Sequence, residues 1–140
     1  MKQLESTVRV LLGIVFVQTL MMFPASAGQN YATISNCFWV VAPIHELANE
    51  LQLHDLWSFT QGRVGWLGGY VRANKGNKDF ETAFNLNLER RKAVGLSMKE
   101  ELKRAIQTGN SEKYNEILSK AIACDAVLGI RTDFVPQMGR

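Results

Sequence analysis

Two cysteines, Cys37 and Cys124, constrain this chain most, because they stand near opposite ends of what remains once an N-terminal leader is set aside. The leader has its own pattern. Lys2 and Arg9 bracket a short n-region that also holds Glu5, Val10–Phe23 is an apolar run, and Ala25 and Ala27 occupy the positions of an A-x-A cleavage site. Cleavage is expected between Ala27 and Gly28, giving a signal peptide over 1–27 and one domain over 28–140. The apolar run is shorter than the roughly 20 residues of a spanning helix, so no stable membrane anchor is expected after cleavage. An exported chain with two cysteines and no C-x-x-C pair predicts a structural Cys37–Cys124 disulfide and a periplasmic or secreted location.

Helical periodicity covers most of the domain. Gly28–Ser35 reads as a polar, flexible lead-in. Ile44, Leu47, Ala48 and Leu51 then recur at i, i+3, i+4 and i+7. Pro43 fits best in a first helical turn, although the apolar pattern runs back to Cys37, and one helix kinked at the proline is the alternative. A second helix is expected from about Asp55, its N-cap, to the NKGNK turn. It contains QGRVGWLGGYV. Nothing upstream reads as the strand that a nucleotide-binding glycine loop requires. Gly62, Gly65 and Gly69 instead line one face, where missing side chains let another helix approach closely, and this apolar helix is expected at the centre.

Phe80, Phe84 and Leu88 repeat at helical spacing, while FNLNL also alternates as a strand does; the flanking segments favour a helix ended by Gly95. SMKE predicts a capping box, Ser97 with Glu100, opening a helix that stops at Gly109. Asn110 or Ser111 caps the last helix, whose stripe of Tyr114, Ile117, Leu118, Ala121, Cys124 and Leu128 faces inward. The tail is extended and loose apart from Phe134 and Val135. These segments predict an all-α, single-domain bundle of about five helices stapled by one disulfide.

Charge is close to balanced, at +3 for the whole chain. The only dense basic patch, Glu89–Lys92 (ERRK), reads as a solvated helix face, so no nucleic acid is expected as a partner. The stretch HELANELQLHD is the one place for metal chemistry. His45 and Glu46 begin an H-E-x-x-H motif, but Asn49 stands where the second histidine belongs. Glu46, Glu50 and His54 fall four apart and share a stripe if the helix is unbroken, which makes them weak candidate ligands beside His45. There is no G-x-S-x-G elbow and no well-placed carboxylate pair, so neither catalysis nor a cofactor is expected.

Trp57, Trp66 and Tyr70 are the candidates for an interface or pocket, Trp57 foremost, since aromatics there carry binding. The segment GWLGGYVRAN, Gly65–Asn74, resembles short W-x-x-G-Y-type segments of small exported helical proteins, among them immunity proteins that neutralise periplasmic toxins. That resemblance covers ten residues and implies a non-enzymatic partner protein. The expected function is an exported binding protein, such as an inhibitor, immunity factor, chaperone or assembly accessory, that contacts a partner protein or a second copy of itself. The alternative is a carrier of a lipid or other apolar ligand in an inter-helix cavity. A metal-dependent enzyme is a distant third.

Overall fold

The computed structural model describes residues 27–139, so the expected leader, apart from Ala27, lies outside the described residues. Five helices follow one another: α1 (Ala27–Glu50), α2 (His54–Ala73), α3 (Lys78–Asn85), α4 (Leu88–Thr108) and α5 (Ser111–Leu128), with no strand among the described residues. The all-α disulfide-stapled bundle is as the periodicity predicts. Cys37 on α1 bonds Cys124 on α5 across a sequence separation of 87, with Cα atoms 5.7 Å apart.

The central helix is α1, not the glycine-rich α2. It packs against each of the other four. Its Val41, Ile44, Leu47 and Ala48 are fully buried among Leu67, Leu102, Ile117, Leu118 and Ala121. The lead-in is helix rather than flexible chain. Ile34 and Ser35 are buried, and the Ser35 hydroxyl donates to the Phe84 carbonyl at 2.8 Å. Tyr31 meets Phe80 edge-on at 5.4 Å between ring centroids. The tail is also anchored differently: Pro136 is fully buried whereas Phe134 is 48% exposed.

Pro43 lies inside α1, as in the single-helix alternative. A proline has no N–H, so the Trp39 carbonyl four residues earlier loses its helical donor. Gly95 of α4 sits against that same carbonyl: a Cβ placed on Gly95 would lie 2.6 Å from the Trp39 oxygen and 3.1 Å from Pro43 Cγ. Gly95 is therefore the close-approach glycine of the fold, and it neither ends a helix nor precedes a cap. α4 runs straight through it and through Ser97. The break falls earlier, at Leu86 and Asn87. Asn87 takes a left-handed φ of 56°, which asparagine tolerates better than most residues.

Gly62, Gly65 and Gly69 do not mediate close packing. A Cβ on any of them would meet no atom within 4 Å, because the buried stripe of α2 is Leu56, Phe59, Thr60, Arg63 and Leu67 on another face. Opposite outcomes are expected on substitution. Gly95→Ala should cost about 1–3 kcal/mol through overpacking, whereas Gly65→Ala should stabilise by about 0.5–1 kcal/mol through helix propensity. Urea unfolding of the two variants measures both, and a neutral Gly95→Ala would mean that α4 does not dock this closely.

Candidate functional site

The candidate ligands of the HELANELQLHD stretch are not brought together around an ion. α1 ends at Glu50, Gln52 turns through a φ of 55°, and His54 begins α2, so the stripe is broken before its last member. Glu46 and Glu50 do converge, but on an ammonium: Lys99 Nζ of α4 lies 3.0 Å from Glu46 and 2.5 Å from Glu50. Burial lowers the Lys99 pKa, but the two carboxylates outweigh it and hold the ammonium above its ordinary range. These residues clamp α4 to α1. Among the described residues no group of three or more His, Cys, Asp or Glu is placed to hold a metal ion.

His45 points elsewhere. Thr60 donates its single hydroxyl hydrogen to the main-chain carbonyls of Leu56 (3.0 Å) and Trp57 (3.1 Å). The same hydroxyl lies 2.8 Å from His45 Nδ1, a hydrogen bond whose donor is set by the imidazole tautomer. The ring lies 5.8 Å from Trp57, and burial lowers its pKa below the usual 6.5. Trp57 is half-buried and lines a shallow hollow of about 290 Å³ with Asn49, Gln52 and His54. Trp66 and Tyr70 stack on each other at 5.1 Å, about two and a half turns further along α2. The three aromatic candidates thus do not form one site.

Two ionisable groups on different elements set a stability profile. A histidine whose folded pKa is depressed contributes stability above pH 6.5 that is lost as pH falls, because the unfolded chain takes the proton first. Tyr114 works at the other end. It is 3% exposed, and burial, then the nearby Asp55 carboxylate, push its hydroxyl up to about 12. Its stabilisation is complete below pH 10 and lost as pH rises from there through 12. Tyr70 is raised in the same sense, by burial and then by Tyr31. A midpoint-versus-pH curve should fall on both flanks. Tyr114→Phe should make the alkaline flank shallower, leaving the part set by Tyr70, and leave the acid flank unchanged.

The feature best suited to a partner lies between α1 and α4. A groove of about 400 Å³ is lined by Asn36, Trp39 and Val40 of α1 and by Asn87 with Arg90, Arg91 and Val94 of α4. Val94 is 61% exposed, and Leu86, next to Asn87, is 57% exposed. An exposed apolar patch rimmed by polar residues, such as Val94 with Trp39 and Val40 between Asn36, Asn87 and the arginines, marks an interaction surface. The two arginines differ in role. Arg91 Nη1 donates to Ser35 Oγ at 2.6 Å and to the carbonyls of Ala83 and Phe84 at 3.2 and 3.1 Å. It thereby satisfies the last turn of α3 and ties the α3–α4 corner to α1. Arg90 is exposed and makes no hydrogen bond or ion pair among the described residues. Lys92 pairs loosely with Glu89 at 3.5 Å, with its ammonium 6.0 Å from the Trp39 ring centre. Trp39 Nε1 is buried with no acceptor.

The ERRK patch is thus only partly a solvated face. Val94 is hidden in the sequence pattern because a helix ended at Gly95 gives it no place on a continuing face. Carried through that glycine, the stripe of Arg91, Gly95, Met98 and Leu102 leaves Val94 off the buried side. No family model, curated protein or solved structure matches the chain.

Proposed function

We propose that this is an exported, periplasmic or secreted, non-enzymatic binding protein of the inhibitor, immunity, chaperone or assembly-accessory class, and that the α1–α4 groove is its contact surface for a partner protein. The observation that carries the reading is the exposure of Val94 on a preformed concave surface walled by Trp39. A half-buried tryptophan with neighbouring aliphatics and an unpaired arginine is the composition that concentrates binding energy at interfaces. The Cys37–Cys124 bridge is consistent with an oxidising, exported compartment. No described helix is long and apolar enough to cross a membrane, which accords with a partner met in solution.

The test is a photo-activatable residue at position 94, with Lys120 on α5 as the control position. The expected result is a protein adduct from position 94 that is absent from position 120 and lost when Val40→Asp is added. Equal adducts from both positions would remove the groove from the account.

A further inference from the structure

We propose that the groove recognises an acidic, apolar segment of its partner, one that presents a large apolar side chain and a carboxylate about one helical turn apart. The inference rests on the groove being the contact surface, and the spacing comes from α4 itself. Arg90 and Val94 are four residues apart and so share one flank of the helix, one turn from each other. Both line the groove, with Trp39 and Val40 opposite them on α1. Val94, Trp39 and Val40 offer an apolar seat.

Arg90 offers a guanidinium with no internal partner among the described residues, and no acidic side chain lines the groove. Arg91 adds positive charge, although its Nη1 is committed to α3. A carboxylate arriving at Arg90 gains a charge-assisted bond of bidentate geometry without displacing any existing pair. A neutral segment leaves that cation at a partly desolvated rim with nothing to answer it.

An anionic membrane is the competing use of basic and apolar residues, and the geometry disfavours it. Interfacial helices bury one continuous apolar face. The exposed aliphatics of α4, Val94 and Leu96, are two residues apart, about 200° around the helix, and form no such face. The seat for Val94's neighbours is concave, which suits an inserted side chain better than a lipid surface.

The test is selection of a random twelve-residue peptide library on the mature, disulfide-bonded protein, with recovered peptides measured against variants by fluorescence anisotropy. The expected peptides carry Asp or Glu three or four residues from an aromatic or aliphatic residue. They should weaken at least about tenfold when their acid is replaced by its amide, and equally on Arg90→Glu. Arg90→Lys should retain most of the affinity. In a ¹⁵N spectrum the Trp39 indole resonance should shift on binding.

Peptides lost on Val94→Asp but indifferent to their own acid and to Arg90→Glu would overturn the acidic-partner inference and leave the groove as a contact surface. Peptides indifferent to Val94→Asp, or none recovered, would overturn both. Tighter binding to phosphatidylglycerol vesicles than to any peptide, lost with Arg90→Glu, would replace the peptide by a membrane. Circular dichroism and urea midpoints of the exposed-site variants show that each is folded.

Discussion

Asp125→Ala should lower the unfolding free energy by about 3–5 kcal/mol, the effect expected when one member of a buried ion pair is removed. Asp125 is 3% and Arg63 7% exposed. Arg63 Nε donates to Oδ1 at 2.7 Å and Nη2 to Oδ2 at 2.5 Å, a bidentate pair joining α2 to α5. Arg63 also donates to the Phe59 carbonyl and lies 3.9 Å from the Phe59 ring centre. Thr132 donates to the same Asp125 carboxylate, so the pair anchors the C-terminal tail as well. Removing the carboxylate strands a buried guanidinium against the Phe59 ring. The double change Arg63→Met with Asp125→Leu should recover much of the loss, because it removes the cost of burying both charges. Chemical denaturation of the three variants decides the matter. A double variant no better than Asp125→Ala would mean that the pair contributes through its links to Phe59 and Thr132 rather than through charge burial.

The second large effect is expected at the disulfide. Cys37→Ala with Cys124→Ala opens a loop with a sequence separation of 87, which in the chain-entropy model is worth about 4.5 kcal/mol. Small domains have only about 5–15 kcal/mol in total, so the reduced protein should be close to unfolding at physiological temperature. The loss should appear in the urea midpoint of wild type held in excess reductant and, somewhat larger, in that of the double variant. Both cysteines are buried, so alanine also leaves a small void, and reduction without substitution separates the two contributions. A midpoint unchanged by reductant would show that the helices hold themselves without the staple.

What could be read from the sequence was whatever a local pattern records. The stop of α4 at Gly109, the stripe of α5 and its N-cap at Asn110 follow from period and capping chemistry, and the side chain of Asn110 indeed accepts from the Lys113 amide. The Cys37–Cys124 bridge follows from counting. What could not be read depends on which faces meet. A glycine inside a helix looks the same whether a neighbour presses on it, as at Gly95, or nothing does, as at Gly65; nothing in the structure explains three glycines on the open face of α2. Arg63 and Asp125 each occupy a position of an inward stripe, and no local pattern marks a charged side chain as buried. Their burial becomes legible only when each is seen as the other's partner. The candidate site was illegible for a similar reason. Trp39 and Val94 are 55 positions apart in sequence, and the docking of α4 on α1, with Gly95 against the Trp39 carbonyl, brings them to one groove.

The most direct measurement is a native mass spectrum of the protein recovered from the cells that make it, beside one of its Val94→Asp variant. The expected result is a complex with the mass of a partner protein for wild type and a bare, disulfide-bonded monomer for the variant. A small organic adduct on both, or a protein complex that survives the substitution, would contradict a binding protein that works through the α1–α4 groove.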